Sequence, residues 1–240
     1  MKQMRLYWLI FAIFFSGSVF AQDFKFNYHT DFKKILKRTQ DVKDAWYYPK
    51  QLVRFQKNDT TLTSYEVLGL MIGYTADTNY KPYTDIEVER KVYRLNGNGK
   101  FKKALKVGLA FHKTHPLNQM TLIELSYAYY KTGKLDSAKH YGYQYQCIMD
   151  AIGASGKGLT RDAAFFSLTP IDGQNFIRKY IGGKIGNMGS DRDSHGYFLD
   201  MLEYVPKDKK EGIPLYFNIE HAMKTLRKKL EKEVKKLKKD

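Results

Sequence analysis

Three kinds of hydrophobic spacing follow one another along the chain. Leu6 to Phe15 is an uncharged apolar run. From Asp31 to about Ile152 apolar residues recur three and four positions apart. Beyond Gly153 the apolar runs shorten and alternate with glycine-rich polar stretches. The middle spacing is that of helices with one buried face. Asp31 to Arg38 carries Phe32, Ile35 and Leu36 on one side, with Asp31 placed to cap it. Proline cannot donate inside a helix but suits its first turn, so Pro49 to Gln56 reads as a new helix with Leu52, Val53 and Phe55 inward. Thr63 followed by Glu66 three residues later forms a capping box ahead of Leu68, Met71 and Ile72. The residue before a proline is pushed away from helix, so Asn79 to Tyr83 is a loop around Pro82, and Thr84 or Asp85 caps the next helix.

A longer period overlies this one. Gly99, Phe101, Ala104 and Pro116 are answered 34 residues later by Gly133, Leu135 and Ala138, with Asp150 where a second proline would fall. The spacing is that of the tetratricopeptide repeat, in which glycine ends one helix, a small residue admits its neighbour closely and proline ends the second. Gln119 to Asp150 fits best, with Leu122, Leu125 and Tyr129 on the pattern's apolar positions. Asp85 to Asn118 fits in its latter half only, since Lys91 stands at an apolar position of its first helix.

After Ile152 the period changes. Gly153 to Gly158 is a turn-rich junction, Ala163 to Leu168 reads as a strand, and Gln174 to Ile181 has Phe176, Ile177 and Tyr180 at helical spacing. Gly182 to Ser194, glycine-rich and polar, reads as a loop. Tyr197 to Val205 and Ile213 to Ile219 are strands, the second confined to an edge or a strand start by Pro214. From about Glu220 a last helix places Leu226, Leu230, Val234 and Leu237 on one stripe beside Met223. The expected fold is therefore α+β: mostly helical, with tetratricopeptide-like pairs at about 85–118 and 119–152, then a small, mostly antiparallel sheet and a C-terminal helix. By segment, 1–21 is a signal peptide, 22–152 the helical region, and 153–240 a small α/β part packed on the helices.

The opening residues add location. Lys2 and Arg5 precede the apolar run, and Val19 and Ala21 stand where a signal peptidase reads small side chains, so cleavage is expected between Ala21 and Gln22. Ten helical residues span only about 15 Å, half of a hydrocarbon core, which disfavours a retained anchor. The resulting expectation is a periplasmic or secreted protein. Its single cysteine, Cys147, has no internal disulfide partner, so stability rests on packing. The formal net charge of +16 favours anionic surroundings or simple solubility, and only the end of the chain concentrates it: Lys224 to Asp240 holds nine basic and three acidic residues.

Catalytic chemistry finds little footing in these residues. The junction glycines lack the spacing of a phosphate loop, because Ala151 stands where its first glycine belongs and Gly158 where a hydroxyl should follow Lys157. His112 with His115, and Asp191 and Asp193 with His195, are short of the third or fourth partner that zinc or calcium requires, and read as helix-end and turn residues. Cys147 among Tyr143, Tyr145 and Ile148 behaves as a small hydrophobe. No catalytic residue, metal or cofactor is therefore expected.

Nineteen tyrosines remain. In the repeat register, Met120, Ile123, Tyr127 and Tyr130 face the concave side, with Tyr93 at the position equivalent to Tyr127 and Lys131 adding charge. Together they form an expected groove for a peptide or sugar chain. The rival use of these tyrosines is packing against the C-terminal sheet, since two repeats are too few to stand alone. The basic tail either lays its apolar stripe on the body, the commoner arrangement, or rests on an anionic membrane surface.

Tyr47-Tyr48-Pro49, Leu62-Thr63 with Glu66, Gly73-Tyr74, Tyr80 to Tyr83, Ser155 to Gly158 and Leu215 to Phe217 together resemble an uncharacterised family of exported bacterial proteins, a domain of unknown function. The resemblance spans nearly the whole chain after Ala21 and implies no activity. It differs at Lys157, where the family has an acidic residue. The expected function is a non-catalytic binding or scaffolding protein whose partner is a protein, a peptide or an anionic envelope polymer, without specific nucleic-acid binding. The alternative is an envelope-acting hydrolase with its cleft between helices and sheet.

Overall fold

A computed structural model describes residues 26–237. The signal segment read at 1–21 and its cleavage point lie outside the described residues. Helix α1 (Tyr28–Gln40) begins earlier than its apolar spacing predicts, because Asn27 caps it by accepting the Thr30 amide at 3.2 Å. Asp31, expected as the cap, sits in the first turn and accepts the Asn27 amide at 2.9 Å. Helix α2 (Tyr48–Gln56) takes Pro49 into its first turn and buries Phe55 and Gln51. Val53, expected inward, is 49% exposed: at two residues from both Phe55 and Gln51 it falls on the opposite side of the helix. Helix α3 (Ser64–Tyr74) carries the capping box, Thr63 and Glu66 each accepting the other's amide, at 3.2 and 2.9 Å.

Every residue of α3 from Val67 to Tyr74 is buried, which makes it the axis around which the rest packs. Two glycines permit this. A Cβ on Gly69 would stand 2.7 Å from the Trp46 ring, and one on Gly73 would press on Thr39. Two helix pairs follow: α4 (Ile86–Gly97) with α5 (Phe101–His112), and α6 (Gln119–Lys131) with α7 (Leu135–Ala154). Gly99 and Gly133 end the first helix of each pair with φ of 68° and 75°, a conformation that costs glycine nothing. Ala104 and Ala138 are both buried within helices.

The C-terminal part is a mixed sheet in the order β1-β4-β3-β2. Strand β1 (Phe165–Phe166) runs parallel to β4 (Ile213–Asn218), pairing Phe165 with Phe217, and the other contacts are antiparallel. The strand expected over Ala163 to Leu168 shrinks to this pair, since Arg161–Ala163 form a 3₁₀ turn. The expected loop over Gly182 to Ser194 is corrected to an edge strand, β2 (Lys184–Arg192), paired with β3 (Phe198–Val205). Its backbone ladder needs no apolar side chains, and Gly183 and Gly186 leave room for Tyr204 and Glu203 of β3, whose atoms would meet a Cβ within 2.5 Å. Helix α8 (Pro170–Asn175) passes directly into a π-helical turn, Phe176–Tyr180.

One apolar cluster joins α1, α3 and α7 to the sheet through Ile35, Leu68, Met71, Ile148, Phe166 and Phe217. The last helix, α9 (Glu220–Leu237), buries only His221 and Ala222 beside Glu220 and is exposed throughout from Arg227 onward. Laying the apolar stripe on the body, the arrangement expected for this tail, is thus corrected: Leu230, Val234 and Leu237 are 49%, 49% and 77% exposed, because the helix runs past the edge of the fold. Among the described residues no helix is long and apolar enough to cross a membrane.

Candidate functional site

The first helices of the two pairs, α4 and α6, lie side by side and leave a groove of about 910 Å³ between them. Tyr93 forms one wall, and Ile123 and Tyr127 form the other. Tyr93 is 54% and Tyr127 43% exposed, so neither ring is consumed by the sheet. Phe101 meets Tyr127 edge-on with ring centres 6.0 Å apart, which fixes the tilt of that ring from beneath. Tyr130 and Lys131 stand at the end of α6, outside the groove lining, where the Lys131 ammonium lies 5.5 Å from the Tyr127 ring and 6.0 Å from the Tyr130 ring. Met120, at the other end, is half-buried beside Lys179, its Sδ 3.5 Å from Nζ.

The floor is polar, and its carboxylate is paired while the Asn96 Oδ1 is buried without a hydrogen-bond partner. Glu124 is buried, and its Oε1 lies 3.1 Å from the Lys179 ammonium. Asn96 donates to both the carbonyl of Glu124, at 2.9 Å, and its Oε2, at 2.8 Å. An isolated buried carboxylate would cost several kcal/mol, a cost that an adjoining cation and amide donor offset. Lys179 reaches the groove from the π-helical turn and also sits 5.8 Å from the Tyr93 ring. Arg94 lines the same space, so the accessible charge is basic.

Of the six residues the sequence assigns to this groove, three line it (Tyr93, Ile123 and Tyr127) and three (Met120, Tyr130 and Lys131) flank it. Arg94, Asn96, Glu124 and Lys179 escaped that reading. Glu124 is the only acidic residue of α6 and interrupts an otherwise apolar face, a signal visible in the chain. Lys179 comes from 55 residues away and leaves no local trace.

The other clusters are disposed differently. His115 stacks on Phe111 and faces Asp85 at 3.4 Å, while His112 lies against Tyr141, its pKa pushed down to about 4 by burial. The two rings serve separate neighbours. Asp191 pairs with Arg161 at 2.7 Å, and its place beside Asp193 and His195 is taken by Asp162, the ligand atoms of these three lying within 4.8 Å of one another. The junction amides of Lys157 and Gly158 both donate to the carbonyl of Ala163, at 3.1 and 2.8 Å, which occupies the groups a phosphate would need. Burial pushes the half-buried Cys147 thiol upward, away from thiolate.

Residues 33–228 match the family model described as Domain of unknown function (DUF4919). No curated protein matches the chain. No solved structure matches it.

Proposed function

The chain belongs to this family, and from the geometry of its groove we propose a non-catalytic, exported binding or scaffolding protein whose tetratricopeptide-like helix pairs hold an extended peptide. The observation that carries the reading is the pair of water-facing rings, Tyr93 and Tyr127, on adjacent helices above a floor whose Glu124 is paired with Lys179 and hydrogen-bonded by Asn96. Exposed tyrosines give a large, rigid, amphipathic contact at small entropic cost, the chemistry of adaptable binding surfaces. A helix of 13 residues such as α6 runs about 20 Å, the span of roughly six residues of extended chain. With Arg94 in the groove and Lys131 at its end, the favoured segment carries acidic side chains or another anionic group. Export rests on the charged, apolar and small-residue order of the first 21 positions.

Selection of a randomised peptide library against the protein tests this reading. Acidic, aromatic-bearing peptides should be enriched, and Tyr127→Ala should weaken the selected peptide by about tenfold, the worth of one well-packed interface aromatic. No enrichment, or equal binding by Tyr93→Ala and Tyr127→Ala variants, overturns the groove. Cleavage of the selected peptide overturns the non-catalytic reading in favour of the hydrolase alternative.

A further inference from the structure

The groove makes no use of α9. From Arg227 to Leu237 every residue of the helix is solvent-exposed, over a length of about 16 Å beyond its buried first turn. Its apolar residues are nonetheless ordered. At 100° per residue, Leu226, Leu230, Val234 and Leu237 fall within an arc of about 80°. Scattered exposed leucines need no explanation, but a continuous stripe on an unpartnered helix does. On the flank of the helix next to Leu226, the helix and the segment Lys81 to Thr84 enclose a space of about 590 Å³, walled by Lys81 and Tyr83 on one side and by Lys229, Lys232, Glu233 and Lys236 on the other. The Tyr83 hydroxyl meets Met223 Sδ at 2.8 Å, which fastens that wall to the helix.

We propose that α9 is a membrane-docking helix: it lies on an anionic lipid surface with its Leu/Val stripe in the headgroup boundary and lipid phosphates held between Lys81 and the lysines of the helix. Charge complementarity selects this occupant. Nine basic against three acidic residues from Lys224 onward give the tail the sign of an anionic lipid's partner. A second copy of the helix would bring like charges together, and the stripe covers fewer heptads than a stable coiled coil requires. The stripe is narrow, so insertion is shallow and the electrostatic part dominates. Binding therefore falls steeply with salt.

The test is co-sedimentation with phosphatidylcholine vesicles with and without phosphatidylglycerol, using the full chain recovered as its host processes it. Variants prepared identically keep any N-terminal contribution constant. The protein should sediment with the anionic vesicles at low salt and be released at high salt. Lys229→Glu/Lys232→Glu/Lys236→Glu and Leu230→Gln/Val234→Gln/Leu237→Gln should each bind at least about tenfold more weakly. The altered side chains are solvent-exposed, so both variants should keep the wild-type circular dichroism spectrum. Tyr93→Ala should sediment as the parent does, which separates this surface from the groove. The proposal is overturned if the parent stays in solution, if neutral vesicles capture it equally, or if either tail variant sediments like the parent. It is also overturned if light scattering finds a dimer that the Leu/Val variant abolishes.

Discussion

His221 concentrates the physics of the fold in one side chain. It is 5% exposed, stacked on Phe166 with ring centres 4.7 Å apart, and 3.3 Å from the Tyr28 hydroxyl. Burial holds its pKa down to about 3, with the nearby Lys224 charge adding to the effect. Between that value and the 6.5 of an unburied imidazole, the folded chain binds fewer protons than the unfolded one. The stability this group supports is complete above about pH 6.5 and drains away as pH falls toward 3. His221→Phe keeps the ring stack and removes the titration. Relative to the parent, the variant should gain about 2 kcal/mol between pH 7 and pH 5, measured by urea unfolding at the two values. An unchanged difference would place the acid sensitivity elsewhere.

Among elements, the joint between α4 and α6 is built from two polar clasps rather than from apolar contact alone. Asn96 grips Glu124 at the groove, and Asn118, which also caps α6, donates to Glu89 of α4. Glu89 is 2% exposed, and burial pushes its pKa up to about 7, the neighbouring carboxylates Asp172 and Asp85 reinforcing the shift against Asn118. The folded chain binds the extra proton here, so its stability falls as pH rises through 4.5 to about 7. Glu89→Gln keeps an acceptor for Asn118 without the charge. Its melting temperature should match the parent's at pH 5 and exceed it at pH 8, by an amount equivalent to about 2 kcal/mol. The outer features of this joint are legible in the chain, because capping residues, Gly99, Gly133 and the apolar spacing act locally. The contacts that join distant segments are not. Edge strand β2 takes its order from the β3 backbone, and its composition of glycine and polar residues is that of a loop. Lys179 is aimed at Glu124 by a π-helical turn whose extra residue per turn has no marker in Phe176–Tyr180. The tail's stripe is visible in the chain, whereas its failure to meet the body depends on where β4 ends.

For the molecule as a whole, the exposed tail and the buried start of the same helix divide sharply. Deleting residues 228–240 removes, among the described residues, only side chains that the fold does not bury, so the melting temperature should stay within about 2 °C of the parent. Deletion from residue 219 onward removes Ile219, Glu220, His221 and Ala222, all buried, and should abolish the cooperative transition. Thermal melts of the two truncations check both halves of that statement. Equal loss in both would mean that the outer turns of α9 support the core.

The ring stacks of Tyr28 and Phe32 on His221 tie the first described helix to the last. Tyr28 and His221 are 193 positions apart. A chain that emerges with its N-terminus leading therefore makes α1 long before it makes the residues that hold α1 down. Until Phe166 and His221 arrive, Tyr28 and Phe32 lack the aromatic layer they lean on, and the apolar flank of α1 stays open to water. The aromatic layer is therefore completed only once the last helix begins, a closure of high sequence separation that slows the final step of folding.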